Sequence, residues 1–355
     1  MKRILVTGGA GFVGSNLALR LKQSRPDSTV VAFDNLRRRG SELSLRRLRA
    51  GGVDFVHGDV RERSDLFEVG DVDLLIDCAA EPSVLAGRDG SPDYVIATNL
   101  GGTIHCLELA RRCGAEVVFL STSRVYPVEP INALAYREES TRYEMAEAQV
   151  VPGASAHGIA ETFPLDGVRS IYGASKLASE LLLQEYRAAY GLRGFINRCG
   201  VLTGPWQMGK VDQGVVVLWV ARHIYGGRLG YIGYGGTGKQ VRDMLHVDDL
   251  FDLLELQLGR MAEVDGEVFN VGGGRPISIS LQELTELCRE HTGKRITLDS
   301  VPENRPQDLI CYLSDSRKVA HAMGWQPRRD ASMIVAEIAR WIKDHRAELE
   351  PILAL

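Results

Sequence analysis

Tyr172 and Lys176 stand four residues apart at the start of a helix-like stretch, 173–189, a spacing that puts both side chains on one helical face. An ammonium beside a phenol favours the phenolate, so such a pair can exchange a proton with an alcohol near neutral pH. With 11 tyrosines in the chain the spacing alone is weak. Its position gives it weight, because it follows a run of alternating strand and helix signals that opens on a second chemical feature. Gly8-Gly9-Ala10-Gly11-Phe12-Val13-Gly14 follows the apolar run Arg3–Thr7, and Asp34 closes a second β-rich stretch, Thr29–Phe33. A strand, glycines three apart, a helix and an acid about 20 residues on are the parts of a dinucleotide-binding unit. Gly8 permits the tight turn, Gly11 lets N–H groups at a helix N-terminus approach a pyrophosphate, and Gly14 lets helix and strand pack closely.

The elements that must position these groups read as an α/β fold: a Rossmann-type doubly wound parallel sheet with a smaller C-terminal substrate-binding lobe. Val53–Val56 leads to Gly58-Asp59-Val60, with Asp59 at a strand end beside the adenine. Leu74–Cys78 forms a further buried strand ahead of Ala79 and Ala80, and a helix from about Tyr94 to Cys113 precedes the strand Val117–Leu120. Such alternation requires a parallel sheet covered on both faces. The stretch 127–170, punctuated by Pro130, Pro152, Gly153, Gly158 and Pro164, is long enough to need short elements or a function of its own. Residues 1–200 are expected to form the nucleotide-binding domain, rejoined near 244–272, and 201–355 mainly the substrate lobe.

Composition narrows the classes. At 355 residues and a net charge of −4 the chain can bury a full core and gives no electrostatic case for nucleic acid. No apolar run reaches membrane-spanning length, Val215–Val220 being far too short. A strand begins almost at the N-terminus, leaving no room for a signal peptide, so a cytoplasmic location is expected. Cys78, Cys106, Cys113, Cys199, Cys288 and Cys311 show no Cys-x-x-Cys spacing and read as small hydrophobes in a reducing compartment, with no metal site. Asp34 favours NAD, since a carboxylate accepts from a ribose 2′-hydroxyl and repels a 2′-phosphate. Arg37, Arg38 and Arg39 are either a solvated basic turn or a host for that phosphate.

The Gly-x-x-Gly-x-x-Gly spacing resembles the extended short-chain dehydrogenase/reductase superfamily. Within it, Asp34-Asn35-Leu36, Thr122-Ser123-Arg124, Ser140-Thr141-Arg142-Tyr143, Asp212-Gln213-Gly214 and the run Gly238-Lys239-Gln240-Val241-Arg242-Asp243-Met244-Leu245-His246 resemble the CDP-tyvelose (CDP-paratose) 2-epimerase family, over nearly the whole chain. That resemblance implies an NAD-dependent epimerase that oxidises carbon 2 of a CDP-linked hexose, turns the keto intermediate and reduces its other face. A nucleotide-sugar 4-epimerase, a dehydrogenase/reductase and a non-catalytic NAD(H)-binding sensor are the alternatives. It implies Thr122, Tyr172 and Lys176 as catalytic residues. The cofactor set is Gly8, Gly11, Phe12, Val13, Gly14, Asp34, Asn35, Arg37, Asp59, Val60, Ala79, Ala80, Asn99, Tyr172, Lys176 and Cys199. The substrate set is Ser123, Arg124, Gln207, Asp212, Gln213, Gln240, Arg242 and Arg305.

Several of these positions carry a plainer reading: Thr122 could simply satisfy strand-end backbone, Arg242 could pair with Asp248 or Asp249, and Gln207, Asp212 and Gln213 could form a surface turn. Trp206 and Trp219 are either core or base-stacking, and His246 reads as a cap or packing residue. Ser123 and Arg124 stand where nucleotide-sugar 4,6-dehydratases carry Asp-Glu, and cannot supply the acid and base that expel water. Pro127, Asp77 and Val201 depart from the glycine, histidine and asparagine common in relatives. The resemblance also implies a homodimer or homotetramer through the helix bearing Tyr172, with Leu177, Leu181, Leu182, Ile104 and Leu107 as apolar contacts.

Overall fold

The computed structural model describes residues 2–88, 90–209 and 213–354. In chain order the elements are β1 (Arg3–Thr7), α1 (Phe12–Ser24), β2 (Thr29–Asp34), α2 (Ser44–Ala50), β3 (Asp54–His57), α3 (Arg63–Phe67), β4 (Leu74–Asp77), α4 (Asp93–Ile96), α5 (Gly102–Cys113) and β5 (Glu116–Thr122). Then come α6 (Val128–Asn132), β6 (Tyr136–Glu138), β7 (Tyr143–Met145), β8 (Ala154–Ser155), β9 (Gly158–Ile159), α7 (Ile171–Tyr190), β10 (Gly194–Cys199), β11 (Val201–Thr203) and α8 (Val215–Tyr225). The remainder is β12 (Arg228–Ile232), β13 (Val241–His246), α9 (Val247–Gly259), α10 (Met261–Val264), β14 (Val268–Val271), β15 (Ser278–Ser280), α11 (Leu281–Thr292), β16 (Thr297–Val301), β17 (Cys311–Tyr312), α12 (Arg317–Met323), α13 (Ala331–Asp344) and α14 (Arg346–Leu353).

The chain divides into two compact units. The first holds 1–125, 170–198 and 251–269 and is built on a seven-stranded sheet in the order β14-β10-β5-β4-β1-β2-β3. The pairings from β3 to β5 run parallel. Strands such as Leu74–Asp77 are buried throughout, as strands covered on both faces must be. On one face Leu5, Val31, Leu75, Val117 and Phe119 pack with Cys106, Leu107 and Leu109 of α5 and Leu183 of α7. The strand order reverses between β1 and β4, and ligands of doubly wound sheets bind outside the strand ends at that point.

The second unit holds 126–169, 199–250 and 270–355. Its mixed sheet runs β11-β13-β15, with β17 also on β13, and β12 pairs with β16 in parallel. The stretch 127–170 supplies two hairpins, β6-β7 and β8-β9. This is where the division differs from an unbroken 1–200 domain, and the reason is hydrogen bonding. Tyr143 N–H donates to the Lys239 carbonyl and Ile159 N–H to the Leu313 carbonyl, so the hairpins are tied to second-unit backbone. No helix among the described residues is long and apolar enough to cross a membrane.

Candidate active site

The glycine turn forms as its spacing predicts. Gly8 has φ of +62°, Gly9 N–H donates to the Phe33 carbonyl, and Gly11 N–H donates to Gly8. Gly11 caps α1 with no side-chain bond to its first-turn N–H groups, which is the arrangement that receives a phosphate at a helix N-terminus. A Cβ on Gly14 would stand 2.2 Å from the Gly8 oxygen, so helix and turn touch there. Gly9 is as constrained, with a Cβ falling 2.6 Å from Ala32 Cα; the three-residue period passed over it. Phe12 and Val13 begin α1 half-buried.

Asp34 ends β2 and holds this turn from the other side. Its carboxylate accepts from Ala10 N–H (3.1 Å) and Leu36 N–H (2.7 Å). Burial raises its pKa against the pull of those N–H groups and that of Gly11. Beyond it Asn35 donates to Asp59 (2.9 Å), which also takes two bonds from the Arg61 guanidinium and one from its backbone N–H. Burial works against the Asp59 charge, yet the Arg61 and Asn35 bonds hold its carboxyl down at about 2. Arg37 and Arg61 lie over the Tyr94 ring at 4.1 and 4.9 Å from its centroid. Arg37 and Asp59 are therefore joined through a cluster that also includes Asn35, Arg61 and Tyr94. Val60 is buried, its carbonyl bonded by His105 (2.8 Å).

Ala79 and Ala80 follow β4, and the N–H groups of Cys78 and Ala79 donate to Thr7 Oγ1. Asn99 lies in a π-helical turn, Ala97–Gly101, between α4 and α5, a distortion frequent at functional sites. Its amide accepts from Glu81 N–H and donates to the Glu81 carbonyl and to Ser175 Oγ of α7. The side chain thus binds the loop after β4 to the helix of Tyr172, a contact the periodicity gives no sign of.

That helix starts at a Ser170 cap accepting from Gly173 N–H (3.0 Å) and stops at Gly191 in the left-handed region. It packs against β5 and the short turn Ser123–Val125. Tyr172 is 9% exposed and Lys176 1%, and the Lys176 ammonium stands 3.9 Å from the Phe119 ring centroid. Thr122 Oγ1 accepts from Arg124 N–H (3.2 Å); the backbone is satisfied, yet the hydroxyl keeps its own proton to donate. Ser123 and Arg124 are half-buried in that turn. One turn beyond Lys176, Glu180 forms a buried bidentate pair with Arg198 of β10 and accepts from Ser121. This pair, absent from the sequence reading, clamps β5, α7 and β10 together.

In the second unit Cys199 is buried at the end of β10. Gln207 is engaged in its own turn, accepting from Thr203 Oγ1 and donating to the Leu202 carbonyl (both 3.0 Å). Asp212 lies outside the described residues, and Gln213 is half-buried just before the Gly214 cap of α8. Gln240 turns inward and donates to the Ile232 carbonyl (2.9 Å). Arg242 pairs with Asp308 (2.7 Å), whereas Asp248 and Asp249 are held by Arg329. A guanidinium has more N–H donors than Arg242 spends on Asp308 and its neighbour's carbonyl. Arg305 is half-buried, three residues before Asp308. His246 caps the start of α9, accepting from Asp248 N–H (3.1 Å). Trp219 is core, bonded to Thr285, and Trp206 packs against Trp341 and His345.

The profile of the NAD dependent epimerase/dehydratase family matches residues 4–272. The chain is 30% identical over 347 residues to CDP-paratose 2-epimerase of Salmonella typhi, covering 96% of this chain and 98% of that protein. It is also 30% identical over 358 residues to dTDP-glucose 4,6-dehydratase of Streptomyces antibioticus, covering 98% and 95%. The solved UDP-glucose 4-epimerase of Thermus thermophilus in complex with NAD superposes with a TM-score of 0.75 at 27% identity, over 96% of this chain and 99% of that one. The chain therefore belongs to the NAD dependent epimerase/dehydratase family, whose members modify nucleotide sugars, and its cofactor is NAD.

Proposed function

We propose that the chain inverts carbon 2 of a CDP-linked hexose through a transient 2-keto sugar. One observation carries the choice. The residues after Thr122 are Ser123 and Arg124, which offer no acid–base pair for expelling water, while Tyr172 and Lys176 stand ready on α7. The run from Gly238 to His246 supports the C2 reading further, as does the end-to-end similarity to CDP-paratose 2-epimerase.

The turn of Gly8, Gly11 and Gly14 and the carboxylate of Asp34 would hold NAD, with Phe12, Val13, Asn35, Arg37, Asp59, Val60, Ala79, Ala80, Asn99 and Cys199 around it. When bound, NAD supplies the acceptor and donor of the hydride. Tyr172 takes the proton from the reacting hydroxyl and later returns it to the ketone. Lys176 stabilises the phenolate electrostatically, and Thr122 donates its hydroxyl to the reacting oxygen. Arg242 and Arg305 meet the diphosphate, where a guanidinium fork matches phosphate oxygens. Ser123, Arg124, Gln207, Asp212, Gln213 and Gln240 are the remaining candidates for sugar and nucleotide. Gln207 and Gln240 would have to exchange their present bonds to reach substrate.

The deciding experiment supplies CDP-hexoses deuterated at carbon 2 or carbon 4 and follows NAD reduction and product stereochemistry by NMR. An isotope effect confined to the carbon 2 label supports the proposal. An effect at carbon 4 with inversion there makes the chain a 4-epimerase, and net NADH release makes it a dehydrogenase. A homo-oligomer is part of the same proposal: Ile96, Ile171, Leu181 and Tyr190 are exposed on α4 and α7, although Leu107 is spent on the sheet-facing core. Light scattering at micromolar concentration should give at least a dimer, and a monomer refutes it.

A further inference from the structure

We infer that Asp77 is the counter-charge of Lys176, a positioning residue that holds the ammonium beneath the reacting hydroxyl. The inference rests on the Tyr172–Lys176 reading of the site, but its test needs no turnover.

Asp77 closes β4 in register with Thr7 of β1 and Phe119 of β5. In-register neighbours of a parallel sheet lie about 4.8 Å apart with side chains on one face. That face is the one covered by α5 and α7. Lys176 Nζ sits over the Phe119 ring, which places the ammonium one strand from the Asp77 carboxylate. Both groups are 1% exposed, and a charge so buried is costly unless an opposite charge accompanies it.

Asp77 is the carboxylate in register with Phe119, the residue whose ring carries the ammonium. On α7 the buried carboxylate, Glu180, is neutralised by its bidentate pair with Arg198 of β10, and Glu185 is exposed. On α5 the titratable neighbour is the Cys106 thiol. Burial chiefly pushes that thiol up, with Asp77 reinforcing and Lys176 opposing the shift; the one sulfur therefore senses both charges. Tyr172 lies one turn before Lys176 and Cys78 directly after Asp77. Thr7 Oγ1 donates to one Asp77 oxygen (2.8 Å), and Thr103 Oγ1 lies 2.8 Å from the other, sharing its proton with the Asn99 carbonyl. These hydroxyls aim the carboxylate; they do not neutralise it.

The experiment is a double-mutant cycle on the full-length protein, read by urea unfolding, with Asp77→Asn, Lys176→Met and the pair. Asparagine keeps the shape and loses the charge. Asp77→Asn alone should lower the folded-to-unfolded ratio on the order of 100-fold or more, the loss expected when one member of a buried pair is removed. In the Lys176→Met background the loss should shrink to roughly tenfold or less, the scale of a hydrogen bond. Recovery of soluble Asp77→Asn only in that background counts in favour. Equal losses in both backgrounds, or failure to fold in both, overturn the inference and leave Asp77 as a partner of Thr7 and Thr103 alone. A second readout follows the Tyr172 phenolate band by ultraviolet titration, as the difference from Tyr172→Phe. Asp77→Asn should displace it by about one pH unit or more, and an unmoved band overturns the inference as well.

Discussion

Gly14→Ala should damage the fold and the cofactor site together, whereas Gly11→Ala should damage the cofactor site alone. The new methyl at position 14 would lie 2.2 Å from the Gly8 oxygen, 2.8 Å from the Gly8 carbonyl carbon and 2.9 Å from Gly9 Cα. All are backbone atoms, so none can swing aside. Restoring even a 3.0 Å contact requires α1 or the turn to move about 0.8 Å (3.0 − 2.2). The turn cannot move freely, because Asp34 holds Ala10 and β2 holds Gly9. Overpacking of this kind costs about 1–3 kcal/mol, or about 3–10 °C in the midpoint for a unit of this size. NAD affinity should fall by roughly 10–100-fold, at tenfold per 1.4 kcal/mol. At position 11 the nearest atom is the Gly8 oxygen at 3.1 Å and the next lies at 4.0 Å, so the apoprotein should keep nearly its native midpoint. The methyl there intrudes on the approach of the pyrophosphate, and calorimetric titration with NAD should show the loss. A Gly14→Ala protein that melts at the native midpoint and binds NAD as tightly as the native chain would refute the reasoning.

Glu180→Gln leaves the buried Arg198 charge uncompensated and should cost about 3–5 kcal/mol in urea unfolding; Glu180→Leu combined with Arg198→Met should recover most of it, and equal stability of Glu180→Gln and the native chain would contradict the clamp. The Asp59 carboxyl is held at about 2 against an ordinary 3.8, so the stability it contributes is complete above about pH 4 and vanishes as pH falls through about 2. Asp59→Asn should flatten the acid limb of the stability profile across that window, as circular dichroism at stepped pH would show. Tyr172→Phe should still bind NAD yet lose turnover by roughly two to four orders of magnitude, the usual scale for a proton-transfer residue, and near-native kcat would remove Tyr172 from the chemistry.

What the sequence makes legible is what lies close together along the chain. The strand, turn, helix and acid from Arg3 to Asp34 fold as one βαβ unit, so spacing alone places Gly8, Gly11, Gly14 and Asp34. The same holds for Tyr172 and Lys176, whose relation is a helical turn. Legibility fails where a side chain chooses among distant partners. Arg242 reads as a pair with Asp248 or Asp249, six or seven residues away, yet the β17 side of the sheet brings Asp308 to it. Glu180 could have been an exposed helix residue; only the place of β10 beside β5 in the sheet brings Arg198 against it. Gly9 escapes because its constraint is the neighbouring strand at Ala32, which a spacing within one loop cannot express. Asn99 is marked by the family resemblance alone, because a π-helical turn breaks the 3.6-residue period that would have assigned its face.

The arrangement around Asp34 also explains how a chain with three arginines in the following loop takes NAD. A carboxylate offers about four lone-pair sites, and the N–H groups of Ala10 in the glycine turn and Leu36 after β2 occupy part of that capacity. A carboxylate at this strand end accepts from a ribose diol and repels a 2′-phosphate. For a phosphate to be accepted, an arginine would have to offset that repulsion. Arg37 is instead stacked over Tyr94, beside Arg61, and its own N–H is bound by Asn35. Asn35 in turn is bound to Asp59, which Arg61 neutralises. Arg37 is therefore fastened to the neighbouring strand end through Tyr94, Asn35 and Asp59.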